Sequence, residues 1–318
     1  MAGVDVVVEL IARLTGRAVV CRNTLRDRRT LRWVRIGEAT SGEDGRGPVV
    51  VMESGLGEPM LNWVPVLAGL SEVADTLVVY DRAGVGLSGP AHGGHGGEAQ
   101  LADLVAVIKD VGCPPCVVVG HSLGGWLAQG LAWRHPELLA GLVLIDPSHE
   151  EVFRHIPEEM LAAMNEGIAV YASMSADALV ASQADDWRVE AARVSDDPEV
   201  QAHIVEAWRA CFAADDRVRA IYEEEMAAQR DLPWAQRLRE TGVFPKLPSV
   251  VLSATNGMPE DMRALFTGLQ RQIATELGGA HESVADAGHY IHRDRPKAVI
   301  GAVARVVGEV RAAAVLRE

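Results

Sequence analysis

The sequence predicts an α/β fold in which a mostly parallel central sheet is flanked by helices, with a helical segment inserted late in the chain. Two observations carry this. Valine-rich apolar runs at 48–53, 77–80, 117–119 and 141–147 have the continuous hydrophobic character of strands buried on both faces. Helical periodicities fall between them, which is the alternation a parallel sheet with crossover connections produces. The alternation stops over residues 148–245 and resumes at 249. The expected division is a core of residues 1–147 and 246–318 and a helical insert of residues 148–245.

The 318 residues are 48% hydrophobic and 23% charged, enough apolar material for a sizeable core and too much for a disordered chain. No apolar run approaches the roughly 18 residues that a membrane span needs. The opening stretch carries Asp5 and Glu9 and lacks a basic lead, so it reads as an amphipathic helix or edge strand and not as a signal peptide. A net charge of −14 argues against nucleic acid or an anionic membrane as a partner. Residues 147–245 hold 20 Asp and Glu against 9 Lys and Arg, so most of that charge sits in the insert. Such acids either face water, the simpler reading, or favour a neutral or cationic ligand. Four cysteines do not make a disulfide framework in a chain of this length, and their use fits a reducing cytoplasm. Cys113-Pro114-Pro115-Cys116 has redox spacing, but its prolines oppose the helix start that such chemistry needs, and it reads as a loop.

Taken in order, residues 22–32 are basic, polar and turn-like, and 31–37 alternate at period two as a half-buried strand near the sheet edge does. A glycine-rich turn covers 41–47. The buried strand at 48–53 leads into Ser54-Gly55-Leu56-Gly57, and the strand at 77–80 into Asp81-Arg82-Ala83-Gly84-Val85-Gly86-Leu87-Ser88. These glycines do not open a helix with dinucleotide-binding spacing. His92 and His95, in a glycine loop without further ligands, are expected at the surface and not on a metal. Helices follow at 98–111 and at 123–135, the second stopped by Pro136. Helical stretches in the insert fall at 157–164, 199–212 and 216–230. Its large apolar residues Met160, Met164, Tyr171, Met174, Trp187, Trp208 and Phe212 read as helix packing ahead of substrate contacts. Strands at 249–253 and 283–286 flank a helix at 260–277, and a helix at 295–311 closes the chain.

The most informative stretch is Val117-Val118-Val119-Gly120-His121-Ser122-Leu123-Gly124-Gly125-Trp126. A β-branched run enters G-x-S-x-G and continues with helical character. A strand that turns abruptly into a helix strains the residue at the turn, so its near neighbours must be small. Ser122 would then stand at the amino end of a helix, whose dipole favours a developing negative charge.

This strand–serine–helix pattern resembles the nucleophile elbow of the α/β-hydrolase superfamily. The resemblance implies the α/β-hydrolase fold, a lid formed by the helical insert, and Ser122 as the nucleophile. It implies His289 as the base, because Ala287-Gly288-His289 follows the last strand and the family's chain order is serine, acid, histidine. It also implies an oxyanion hole from the backbone N–H groups of Leu56 and Leu123. Ser54 replaces the family's usual histidine there, while Gly55 and Gly57 keep the turn. Asp81 and Arg82 match the family's D-x-x-G-x-G-x-S loop and read as structural. The acid departs from the common pattern: its usual place after the 249–253 strand falls on Asn256 or Gly257. Asp146 is preferred because it directly ends its strand, which fixes its direction. Asp261 or Glu260 stays open, as does a histidine without an acid, since an Asp before Pro147 equally caps a turn.

A serine attacks acyl carbon, whereas epoxide or haloalkane chemistry on this fold needs an Asp at the elbow. The resemblance therefore implies hydrolysis of a carboxylic ester of a small to medium, mainly apolar substrate through an acyl-enzyme, without cofactor or metal. Lactone, amide or carbon–carbon hydrolysis would use the same three side chains. A ligand-binding member of slow turnover is the alternative from another class.

Overall fold

The computed structural model describes residues 5–38, 47–112 and 115–316. Cys113, Pro114 and most of the 41–47 turn lie outside them. Helix α1 (Val6–Thr15) precedes strands β1 (Val19–Arg26), β2 (Arg29–Ile36) and β3 (Val50–Glu53). Helix α2 (Val64–Val73), β4 (Leu77–Tyr80), α3 (Gly97–Val111), β5 (Cys116–His121), α4 (Leu123–Arg134) and β6 (Leu139–Ile145) then alternate. Residues 148–245 carry α5 (Glu158–Ser173), α6 (Ala176–Val194), α7 (Pro198–Cys211), α8 (Asp215–Arg230) and α9 (Leu232–Thr241), and contribute no strand. The chain continues through β7 (Ser249–Ala254), α10 (Glu260–Leu277), β8 (Ala280–Val284), α11 (Ile291–Asp294) and α12 (Pro296–Val315).

The eight strands form one sheet in the order β1-β2-β4-β3-β5-β6-β7-β8. β2 is antiparallel to both β1 and β4, and every other pair is parallel. Alternate side chains of the central strands enter opposite layers, as the period of two requires. Val117 and Val119 pack with α1, α2 and α12, while Val118 packs with α3, α4 and α10. This double coverage is why these strands read as unbroken valine runs.

The edges depart from expectation. Residues 22–32 are not a turn: β1 runs to Arg26, and only Asp27 and Arg28 reverse the chain, at φ of 45° and 67°. Two left-handed residues give the turn whose twist matches a hairpin. β1 is the edge strand, so one of its faces meets water and its sequence is polar. The last strand starts at Ala280, three residues before the expected 283–286, which puts His281 inside β8, with Nε2 2.8 Å from Ser253 Oγ. His92 is exposed as expected, but His95 is buried, with Nε2 3.3 Å from a Glu223 carboxylate oxygen. No helix among the described residues is long and apolar enough to cross a membrane.

The turn from β5 into α4 depends on missing side chains. A methyl on Gly120 would lie 2.6 Å from the Gly124 carbonyl oxygen, and one on Gly124 would lie 2.6 Å from the Ser54 carbonyl oxygen. Backbone cannot move aside as a side-chain tip can. Gly124→Ala is therefore expected to destabilise the fold by about 2–3 kcal/mol, the upper range of overpacking costs, read as a lower urea midpoint with unchanged m. An unchanged midpoint would show that the loop yields.

Candidate active site

Ser122 occupies the turn between β5 and α4 at φ 51° and ψ −116°. Its amide donates to the Ile145 carbonyl at 3.1 Å and its carbonyl accepts from Ser148 at 3.0 Å, so the ends of β5 and β6 are tied together around it. Asp146 directly follows β6, also at positive φ, 41°. Its amide donates to the Leu252 carbonyl at 2.7 Å, which turns the carboxylate over the end of β7.

The loop after β8 brings in His289. Its Nε2 lies 2.9 Å from Ser122 Oγ and its Nδ1 2.7 Å from Asp146 Oδ2. The three side chains form one hydrogen-bonded line. Asp146 is fully buried and accepts further from the Ala254 amide at 3.1 Å, Gln270 Nε2 at 3.0 Å and Arg263 Nη1 at 3.1 Å. Burial opposes its ionisation, but the bonds and charges of His289 and Arg263 outweigh it and hold the carboxyl below the usual range. Glu260 and Asp261 are exposed in the first turn of α10, and Asp261 Oδ1 accepts from the Met262 amide. Of the two acid alternatives, only Asp146 reaches the histidine.

Leu56 and Leu123 border the same space as Ser122 and His289. On either side of Leu56 the loop amides are taken: Gly55 donates to Glu58 Oε2 at 2.8 Å and Gly57 to Glu224 Oε2 at 2.6 Å. The Leu56 amide is left between them. Leu123 is the first residue of α4, where an amide has no partner within its helix. Ser54 is turned away, accepting from Trp63 Nε1 at 2.9 Å. Asp81 is fully buried and accepts from the Met60 and Leu87 amides, while Arg82 bridges Glu53 and Glu224, each at 2.7 Å.

These groups open on a cavity of about 410 Å³. Trp126 and Phe153 make part of its wall, and Met160 and Met164 of α5 another. The two methionines therefore differ from the helix-packing expectation. They are 37% and 38% exposed and face this space, while Trp187, Trp208 and Phe212 pack as a triangle of near-parallel rings, each pair 6.0–6.2 Å between centroids.

Sequence reasoning missed a second buried pair beside this line. His121 Nε2 lies 3.0 Å from the His289 carbonyl oxygen, and its Nδ1 3.0 Å from Glu58 Oε2. A carbonyl and an ionised carboxylate both require a donor, so the ring is an imidazolium. Burial works against both charges. The carboxylate still raises the histidine, and His121 and Arg293 hold Glu58 well below its usual range. Glu58 thereby ties the Gly55 loop to His121, the residue before Ser122, and His121 in turn reaches the backbone carbonyl of His289. His292, fully buried beside the pair, has neither ring nitrogen hydrogen-bonded among the described residues, and burial keeps it neutral. Glu58, His121 and His292 place donor atoms within 4.8 Å of one another, the one such group among the described residues. Two of those atoms already bond each other.

The pair sets a stability window. A raised histidine stabilises below its ordinary 6.5 and loses that contribution as pH rises through the raised value. A depressed carboxylate stabilises above its ordinary 4.5 and loses it as pH falls. Glu58→Gln, which strands one buried charge, is expected to cost about 3 kcal/mol and to flatten both slopes in thermal melts across pH. Slopes identical to wild type would contradict the pairing.

A family model described as the alpha/beta hydrolase family matches residues 49–302, and the chain belongs to that family. YqjL of Bacillus subtilis is 32% identical over 117 residues, covering 36% of this chain and 46% of that protein. A Variovorax paradoxus protein named as a candidate carbamate hydrolase, RutD, is 36% identical over 101 residues, covering 31% and 38%. The chain spans less than half the length of these curated relatives. Among solved structures, a candidate epoxide hydrolase from Pseudomonas aeruginosa superposes with TM-score 0.66 at 18% identity, covering 93% of this chain and 97% of that one. Est816, described as an N-acyl homoserine lactone degrading enzyme, gives 0.61 at 19%, covering 89% and 98%. Both likenesses establish the fold.

Proposed function

We propose that the protein is a serine hydrolase that cleaves a carboxylic ester of a small to medium, mainly apolar substrate through an acyl-enzyme. The observation that carries this reading is the unbroken Asp146–His289–Ser122 line opening on an apolar cavity. Ser122 is the nucleophile, His289 takes its proton, and Asp146 holds the imidazole in the productive tautomer and stabilises its charge. The oxyanion forms against the Leu56 and Leu123 amides, one of them at the start of a helix. His289 then protonates the departing oxygen, and water enters by the same route in reverse.

Residues 148–245 act as a cap on the core of residues 1–147 and 246–318, with α5 as the wall over the nucleophile. Free thiols at Cys21 and Cys211 fit a reducing cytoplasm. The carbamate and lactone chemistries in the names of similar proteins are acyl transfers too, open to the same line of residues. A serine at the elbow supports acyl chemistry over epoxide opening, which would need a carboxylate there.

The test is a panel of p-nitrophenyl esters of increasing acyl length. Ser122→Ala is expected to lower kcat by up to about 10⁶, as removal of a triad serine does. Asp146→Asn is expected to lower it by about 10⁴, because the amide favours the wrong tautomer, while Asp261→Asn leaves it within about twofold. Equal losses in the two Asn variants, or turnover that survives Ser122→Ala, would contradict the assignment.

A further inference from the structure

A second cavity of about 450 Å³ lies back to back with the first, between the Leu56–Pro65 stretch of chain and helices α6 and α7. The two share Leu56, Glu58 and Tyr290 as walls. Tyr290 follows the base directly and is 40% exposed, and burial of its hydroxyl pushes the phenol up to about 12, so it stands between the spaces as a neutral partition. The far wall is the Trp187–Trp208–Phe212 triangle of rings, whose planes are tilted by no more than 17°. Flat parallel rings offer flat contact to another ring.

The charges in this cavity are uneven in a way that selects a ligand. Glu190 and Arg193 pair with each other at 2.6 Å, and Glu58 is held by His121 at 3.0 Å. Asp186 sits exposed. Among the described lining residues, Arg293 is the cation with no carboxylate at ion-pair distance. It donates to Asn62 Oδ1, and its guanidinium carbon lies 4.5 Å from the Tyr290 centroid and 5.7 Å from that of Trp208. One edge of a planar donor fork thus remains for a planar acceptor. A planar guanidinium set against aromatic faces can pair with a carboxylate through two parallel hydrogen bonds.

We propose that this cavity is a second ligand site, which binds an aromatic ring bearing a carboxylate, the ring against the Trp208 wall and the carboxylate on Arg293. Ser122, Leu123 and His289 do not line it and Tyr290 stands between, so the site is separate from the Ser122 cavity and does not rest on the serine hydrolase reading.

The experiment is calorimetric titration of the full chain with 4-hydroxybenzoate, phenol and tyramine. In wild type and in Ser122→Ala, 4-hydroxybenzoate is expected to bind at least about tenfold tighter than phenol, and tyramine no tighter than phenol. Arg293→Gln is expected to bring the ratio near one, with Arg293→Lys recovering part of it. Gln183→Trp, which fills the cavity from α6, is expected to weaken all three ring ligands should Arg293→Gln fail to fold. Equal binding of the three, tighter binding of tyramine, or a preference that survives both variants would overturn the site.

Discussion

The backbone of Ser122 sits at φ 51° and ψ −116°, a conformation that an L-residue keeps only when its surroundings hold it there, at a cost of about 1–3 kcal/mol. Gly120, Gly124 and Gly125 make room for it. The β5–β6 ladder and the bonds to Ile145 and Ser148 hold it. Asp146 repeats the device one strand away, at φ 41°, where its amide is fixed to β7. Each turn lifts a polar side chain above the carboxyl edge of a sheet whose interior is apolar on both faces. His289 arrives from the loop after β8 to join them. Two strained turns on rigid neighbouring strands thus set a geometry that flexible loops would leave loose.

Buried charge organises the rest. Asp146 is balanced by Arg263 and by three further donors, Glu58 by His121, and Arg82 by Glu53 and Glu224. A carboxylate without its partner in such places would cost several kcal/mol. Glu224 comes from α8 and also holds the Gly57 amide, so the helical segment is fixed to the loop that carries Leu56. Part of the segment's excess acid therefore works inside the protein, contrary to the simple view that these residues all face water. α5, by contrast, buries none of its residues. Few buried contacts mean low local stability, which makes α5 the part of the cavity wall most able to move.

The central strands, α4 and the serine turn were legible because their signals are local. A valine run means two buried faces, and a glycine at each side of a serine means a cramped turn. β1 was not legible, because an edge strand with one wet face carries the same polar residues as a loop. α6 was missed for a related reason: its long, charged surface hides a short buried row of Leu179, Trp187 and Ala191. Asp146 was legible only as a direction, from its place at a strand end. The residues that hold that carboxylate, Arg263 and Gln270, lie 117 and 124 positions away and gave no sign. Glu58 and His121, 63 positions apart, are the same case. Contacts made by the topology are invisible to spacing, however clear each element is.

The central claim is that Ser122, strained at the elbow and aligned with His289, is the group that attacks the acyl carbon. Reaction with a fluorophosphonate, followed by digestion and peptide mass mapping, tests it without knowledge of the substrate. The account predicts stoichiometric phosphonylation of the peptide containing Ser122, lost in Ser122→Ala and slowed by orders of magnitude in Asp146→Asn. A label on any other serine, or no label on a protein that melts as a folded unit, would contradict it.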